Sequence, residues 1–116
     1  MLAQVARILE KTCEVVGTVF DGESLLEAAA RLDPDVIVSD ISMPGLGGLG
    51  ALRGLKAAGC LSRFVFLTVH EDPDFVREAM TLGADAYVVK SRLVSDLPKA
   101  IHEAVAGRTF VSPTVF

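Results

Sequence analysis

The sequence predicts an α/β fold of the doubly wound class, in which helices cover both faces of a parallel sheet. Short apolar runs typical of buried strands alternate with segments whose apolar residues recur every three to four positions. Strands separated by whole helices favour right-handed crossovers and therefore parallel pairing. At 116 residues, 51% of them hydrophobic, the chain is long enough for one domain with a single core.

Five segments have helical periodicity. The first covers residues 2–12, and the second follows the expected N-cap Asp21 and stops at Asp33-Pro34, because proline disfavours helical backbone before it. The third passes through Leu49 to Lys56 and ends near Gly59. The fourth starts at Asp72-Pro73 and runs to Gly83, and the last ends at Gly107, with Ser95 as its expected N-cap and Pro98 in its first turn.

Four apolar runs are predicted as strands, and three of them end in a polar side chain. They are Glu14–Phe20, Val36–Ser39, Phe64–Val69 and Ala86–Val89. Asp40 follows the second run, Thr68 closes the apolar part of the third, and Lys90 follows the fourth. Because parallel strands end at the same edge of a sheet, a carboxylate, a hydroxyl and an ammonium are expected to meet there. These groups suit a phosphoryl group on Asp40.

Composition excludes several other classes of function. The net charge is −4 and no run of Lys or Arg forms a basic stripe, so we expect no nucleic-acid surface within these residues. No apolar stretch reaches the roughly 20 residues of a membrane span, and no secretory signal precedes the first helix, which favours a cytoplasmic location. Cys13 and Cys60 lack a metal-binding or disulfide pattern, and His70 and His102 lie far apart, so neither pair is expected to bind metal.

Taken singly, each residue of the predicted site has an ordinary structural explanation. An Asp after a strand usually caps a turn, a strand Thr usually fills a β position, and a Lys is usually solvated. Their order at three strand ends, with Met43-Pro44 after Asp40, favours a functional site over these explanations. Tyr87 alone is as well explained by packing.

Three blocks of the sequence resemble the receiver domain of two-component response regulators. They are residues 34–44 with Gly48, residues 67–72, and residues 83–91. The closing residues 106–113 are similar to the receiver end in the subfamily that carries a helix-turn-helix output domain, but nothing resembling that output domain is present in the sequence. The resemblance spans nearly the whole chain and implies a flavodoxin-like sheet with strand order 2-1-3-4-5.

The resemblance also implies a mechanism. Asp40 would accept a phosphoryl group from a sensor histidine kinase, Lys90 would pair with a phosphoryl oxygen, and Thr68 and the backbone N–H of Val69 would bind others. Tyr87 matches the aromatic residue that moves inward when the threonine moves, so Thr68 and Tyr87 would form the switch. A receiver of this kind is a signalling module rather than an enzyme, and it would control transcription through an output domain.

The chain departs from the family at its start. Receivers begin with a strand ending in two acidic residues that hold Mg²⁺, whereas this sequence starts inside the helix that should follow that strand. Residues 1–116 are therefore expected to form an N-terminally incomplete receiver whose missing strand would be central. Of the family's metal ligands only Asp40 and the Ser42 carbonyl remain, which predicts weak or absent Mg²⁺ binding and poor phosphorylation. Asp21 moving toward Asp40 is a less favoured way to supply a second acid.

The missing strand leaves three structural outcomes and one alternative function open. The neighbouring strands pair directly, a second copy covers their edges in a homodimer, or the chain is only marginally stable; self-association is the favoured outcome. The alternative function is a phosphorylation-incompetent interaction or dimerisation module. An enzyme of the haloacid-dehalogenase type is disfavoured, because Asp40-Ile41-Ser42 lacks the second carboxylate that its acid-base chemistry requires.

Overall fold

The computed structural model describes residues 2–10, 22–41, 47–69 and 72–113. It has five α-helices: α1 (Leu2–Leu9), α2 (Gly22–Leu32), α3 (Gly47–Ala57), α4 (Pro73–Thr81) and α5 (Leu93–Val105). Its strands are β1 (Val36–Asp40), β2 (Arg63–Thr68), β3 (Ala86–Val89) and β4 (Phe110–Val111), and a 3-10 turn at Lys90–Arg92 leads from β3 into α5.

All pairs in the four-stranded sheet are parallel, and the strands lie in chain order, β1-β2-β3-β4. This arrangement confirms the predicted α/β class and three of the predicted strands. The remaining predicted strand, Glu14–Phe20, which comes first along the chain, lies outside the described residues. β4 was not predicted, because two residues are too few to show a strand period.

Helices pack on both faces of the sheet, as a doubly wound fold requires. On one face α2, α3 and α4 cover alternate strand residues, among them Ile37, Phe64, Phe66 and Tyr87. On the other face α1 and α5 cover the intervening residues; this cluster includes Val5, Val65, Leu67, Val88 and Leu97. The alternation follows from the two-residue period of a strand, and it makes β2 and β3 buried on both sides.

Helix α4 begins and ends as its sequence predicts. The Asp72 side chain accepts a hydrogen bond from the backbone N–H of Asp74 at 2.9 Å, and Pro73 occupies the first helical position. Gly83 follows the helix with φ +106°, in the left-handed region that glycine adopts without strain. This cap places the start of α4 close after the end of β2.

The predicted start of α5 was wrong. The helix begins at Leu93 with Arg92 at the N-cap position, so Ser95 lies inside the first turn, where its hydroxyl donates to the Arg92 carbonyl at 3.3 Å. Pro98 consequently lies inside the helix rather than in its first turn. The reason is the 3-10 turn at Lys90–Arg92, which continues directly into α5 and starts it three residues earlier than a cap at Ser95 would.

Candidate functional site

Asp40 and Lys90 form an ion pair at the carboxyl edge of the sheet. The Lys90 Nζ donates to Asp40 Oδ2 at 2.6 Å, a length typical of a charge-assisted hydrogen bond. Both side chains are about one-quarter exposed, at 26% for Lys90 and 28% for Asp40. The pair is therefore shielded from most of the solvent yet remains accessible to a small anion.

The sheet register explains why two residues 50 positions apart meet. Asp40 is paired with Leu67 of β2, and Leu67 is paired with Val88 of β3, two residues before Lys90. β2 lies between β1 and β3, so the two charged side chains reach across its end. The predicted meeting of Asp40 and Lys90 at one sheet edge is what the structure shows.

Thr68 and Tyr87 lie beside this pair and contact each other. Thr68 is the last residue of β2 and is paired with Val89, the residue before Lys90; both Thr68 and Tyr87 are fully buried. Burial raises the pKa of the Tyr87 phenol to about 12, opposed by a side-chain hydrogen bond with Thr68 and reinforced by the negative charge of Asp72. Tyr87 is thus in an inward position and is hydrogen-bonded to Thr68, the residue that the family resemblance implies for the switch.

The other residues singled out in the sequence lie at the surface, away from the ion pair, or outside the described residues. Val69 follows Thr68 directly and is 67% exposed, so its backbone lies at the surface end of β2. His102 lies on the exposed side of α5, and Cys60 is half-buried and unbonded to another cysteine. The predicted ligand Ser42 and the possible second acid Asp21 lie outside the described residues, as do His70 and Cys13.

Gly48 packs the start of α3 directly against Asp40. Its N–H donates to the Ile41 carbonyl at 2.9 Å, and a Cβ at this position would lie 2.2 Å from the Asp40 carbonyl oxygen and 2.8 Å from the Ile41 Cα. Both atoms belong to the backbone and cannot rotate away. Only glycine therefore allows the helix to approach the strand end this closely.

The described residues do not make a magnesium site by themselves. No group of three or more His, Cys, Asp and Glu side chains in these ranges could hold a metal ion. Of the two predicted metal ligands, Asp40 is among the described residues, and its carboxylate accepts a hydrogen bond from the Lys90 ammonium. Mg²⁺ in proteins usually keeps several waters and is held by one or two carboxylates together with phosphate oxygens, so Asp40 supplies one of the protein ligands that such a site needs.

Sequence reasoning missed a polar cluster next to Lys90. Asp96 and Ser112 are 1% and 0% exposed, and Asp96 accepts hydrogen bonds from Arg92, Ser95 and Ser112. Burial works to raise the pKa of Asp96, but the hydrogen bonds from Arg92, Ser112 and Ser95 outweigh it and hold the pKa below its ordinary value. One clue was available, because residue 96 falls within the apolar stripe of the last helix.

The comparison with known families decides what the chain is. Residues 1–102 match the family described as the response regulator receiver domain. The chain is a response regulator receiver domain. The sequence is 40% identical over 98 residues to the nitrate/nitrite response regulator protein NarL of Escherichia coli K12, covering 84% of this chain and 45% of NarL. This receiver domain spans about half the length of the curated relatives it matches.

Solved structures agree with the receiver domain fold. A LuxR-family two-component response regulator from Aurantimonas sp. SI85-9A1 has a TM-score of 0.93 at 30% identity, covering 97% of this chain and 82% of that one. The isolated receiver domain of RcsB from Salmonella enterica serovar Typhimurium, determined with the phosphomimetic BeF₃⁻, has a TM-score of 0.89 at 27% identity, covering 98% and 86%. The predicted flavodoxin-like class is thereby confirmed. No helix in the described ranges is long and apolar enough to cross a membrane.

Proposed function

We propose that this receiver domain takes a phosphoryl group on Asp40 from a sensor histidine kinase. The observation that supports the proposal is the 2.6 Å contact between the Asp40 carboxylate and the Lys90 ammonium at the carboxyl edge of the sheet. A carboxylate nucleophile beside a fixed cation is what phosphoryl transfer needs, because the reaction depends mainly on positioning and charge neutralisation.

In the proposed reaction a carboxylate oxygen of Asp40 attacks the phosphorus of a phosphohistidine. The new O–P bond forms as the N–P bond breaks, and the imidazole nitrogen keeps the electron pair. Lys90 then pairs with a phosphoryl oxygen instead of with the carboxylate. The Thr68 hydroxyl and the Val69 N–H, at the end of the adjacent strand, bind the other oxygens.

The same geometry supports a switch at Thr68 and Tyr87. The Thr68 side chain is hydrogen-bonded to Tyr87 and both residues are buried. A phosphoryl group on Asp40 competes for the Thr68 hydroxyl, so its arrival changes the contact that holds the phenol. We infer that the partner-binding surface responds through this exchange of hydrogen bonds, which biases a two-state element.

Magnesium would have few ligands in the proposed site. Asp40 and the Ser42 carbonyl are the predicted donors, and two oxygens hold a hard cation weakly. We therefore expect Mg²⁺ binding and phosphorylation of residues 1–116 to be weak.

The proposed function extends to three kinds of partner. The kinase is the phosphoryl donor, a second copy of the chain is the expected self-association partner, and DNA is reached only through an output domain outside these residues. The net charge of −4 supports the last point, because an acidic domain repels nucleic acid. Transcription control and a cytoplasmic location belong to this proposal.

A titration with beryllofluoride and Mg²⁺ tests the phosphoacceptor role. The chain contains one Tyr and no Trp, so intrinsic fluorescence reports on Tyr87 alone. We expect a saturable change that is absent in Asp40→Asn. Lys90→Ala should weaken beryllofluoride binding about 10- to 100-fold, because a hydrogen bond to a charged group contributes roughly 1.5–3 kcal/mol.

The matched control is Lys99→Ala, which removes an exposed lysine of α5 that does not reach the site. It should bind beryllofluoride as the unsubstituted chain does. A folded protein that remains silent at millimolar Mg²⁺ would reject the phosphoacceptor role. That result would favour the second function, a phosphorylation-incompetent interaction module, which the lack of a metal-binding group of three or more His, Cys, Asp or Glu side chains among the described residues also supports.

A further inference from the structure

Ser112 ends the pairing between β3 and β4 through its side chain. Its N–H donates to the Tyr87 carbonyl at 2.9 Å, which continues the ladder by one step beyond Val111. In a regular parallel ladder the carbonyl of the same residue would accept the next N–H of β3. Here the Val89 N–H donates to the Ser112 Oγ at 3.1 Å. The Ser112 hydroxyl therefore accepts the hydrogen bond that a main-chain carbonyl would accept in a regular ladder, and Pro113 follows directly.

Asp96 fixes the orientation of that hydroxyl. The Ser112 Oγ donates to Asp96 Oδ2 at 2.8 Å, which leaves its lone pairs directed at the Val89 N–H. The same carboxylate accepts from the Arg92 Nε at 2.7 Å and, through Oδ1, from Ser95 at 3.1 Å. Asp96 is 1% exposed and Ser112 is fully buried, so the hydrogen bond between them is shielded from water, whereas Arg92 and Ser95 approach the carboxylate from the solvent side.

This polar cluster contacts residues on both sides of Lys90 along the chain. Val89, which immediately precedes Lys90, is held by Ser112, and Arg92, which ends the 3-10 turn that Lys90 begins, is held by Asp96. Because Lys90 lies between these two residues, a shift of the Val89 backbone or of Arg92 would be passed to the Lys90 backbone. The lysine is half-buried and reaches across β2 to Asp40, so a small backbone shift lengthens the 2.6 Å ion pair.

We propose that Asp96 and Ser112 are positioning residues for Lys90, and that they couple the Asp40–Lys90 site to the place where the chain leaves the sheet after Ser112. The functional value of this coupling rests on the proposed phosphoacceptor role of Asp40. The coupling is reciprocal: whatever strengthens the hold of Ser112 on Val89 strengthens the ion pair, and breaking the ion pair loosens Ser112 to the same extent.

Two measurements on the unliganded chain test the positioning role. The first is the hydrogen-exchange rate of the Val89 amide, and the second is the water-exchange rate of the Lys90 ammonium protons, followed by NMR. Ser112→Ala should accelerate both exchange rates about five- to tenfold, because it removes the hydrogen bond from the Val89 N–H and the hydrogen bond to Asp96. Asp96→Asn should have a similar effect, while Ser112→Thr, which keeps the hydroxyl, should restore both rates toward those of the original chain.

Ser95→Ala is the matched control. It also removes a hydrogen bond from the Asp96 carboxylate, but Ser95 is exposed and makes no contact with Val89. It should leave both exchange rates within about twofold. If Ser112→Ala lowered the melting temperature but left the Lys90 ammonium unchanged, or if Ser95→Ala matched its effect, Ser112 would be a structural residue and the positioning role would be rejected.

The reciprocal experiment tests the coupling. Lys90→Ala should accelerate exchange of the Ser112 amide, which is bonded to the Tyr87 carbonyl, by about the same factor. An unchanged Ser112 amide in a folded Lys90→Ala variant would overturn the coupling. None of these readouts requires a ligand, so they distinguish a failure of this inference from a failure of Asp40 to bind beryllofluoride.

Discussion

At the scale of single residues, the feature with the clearest physical signature is the buried phenol of Tyr87. The phenol is fully buried and hydrogen-bonded to Thr68, and the negative charge of Asp72 raises its pKa. Tyr87 lies on the face of the sheet that α3 and α4 cover, and Asp72 is the N-cap of α4. Tyr87 therefore reports on the state of the site without being part of the Asp40–Lys90 pair.

We predict that the Tyr87 phenol titrates near pH 12, against an ordinary value of 10.0, because burial disfavours the phenolate. The raised pKa stabilises the fold fully below pH 10, and that contribution is lost as the pH rises through the folded value. Tyrosinate absorbance against pH measures the midpoint directly, since the chain has one tyrosine. Titration near pH 10 in a still-folded protein would contradict the buried position.

Removing the phenolic hydroxyl tests the contact with Thr68. Tyr87→Phe should lower the free energy of unfolding by about 1–2 kcal/mol, because it takes away the hydrogen-bond partner of a buried hydroxyl. Urea unfolding measures the change. Thr68→Val and the double variant complete a cycle, and additive effects would show that the two side chains do not interact.

At the scale of elements, the site depends on how closely α3 and α4 approach the strand ends. Gly48 brings α3 onto the Asp40 backbone, and the Asp72 cap starts α4 just beyond β2. Helix α3 begins next to Asp40 at the end of β1, and helix α4 begins shortly after Thr68 at the end of β2. The helix starts therefore set the geometry of the site as much as the strands do.

We predict that Gly48→Ala destabilises the protein by about 1–3 kcal/mol and disturbs Asp40. The added Cβ would lie 2.2 Å from a backbone oxygen that cannot move without displacing the strand end. Gly54→Ala in the same helix is the control, since its Cβ would meet only the flexible end of Leu26 at 3.0 Å. Equal urea midpoints for the two variants would refute the tight packing at Gly48.

Asp72→Asn separates the capping role of this residue from its charge. Asparagine still caps a helix well, so unfolding free energy should change by less than about 0.5 kcal/mol. The negative charge near Tyr87 is lost, however, and the tyrosine midpoint should move down from about 12. A midpoint that does not move would show that the charge of Asp72 does not reach the phenol.

At the scale of the whole molecule, much of the architecture and part of the site follow from sequence patterns. The strands β1, β2 and β3 are apolar runs with clear ends, so the meeting of Asp40 and Lys90 could be predicted from topology alone. The Asp96–Ser112 contact could not, because the position of Asp96 in the apolar stripe of the last helix indicates burial but does not identify the hydrogen-bond partner. The start of α5 was missed because the 3-10 turn that precedes it has no strong sequence signature.

Asp96 also shapes the acid stability of the whole domain. Its pKa is held below the ordinary 3.8, so its contribution to stability is present above that value and is lost as the pH falls through the folded pKa. Asp96→Asn should flatten the acid limb of a plot of unfolding free energy against pH. Parallel acid limbs for the two proteins, measured by urea unfolding, would refute this assignment.

Self-association is the prediction that concerns the assembled molecule. Within the described residues β1 pairs with β2 on one side only, and such an edge pairs readily with another strand. Sedimentation equilibrium should show twice the mass of one chain, with a concentration-dependent transition to monomer. A monomer at all concentrations would favour direct pairing of β1 with another part of the same chain.

The separation of Asp40 and Lys90 along the polypeptide has a consequence during biosynthesis. The ribosome adds the lysine 50 residues after the aspartate, and β2 must already lie between their strands before the two charges can touch. A partly translated chain or a proteolytic fragment ending before residue 90 lacks the cation that completes the pair. The Asp40–Lys90 contact can therefore form only after residue 90 has been added and β2 and β3 have paired.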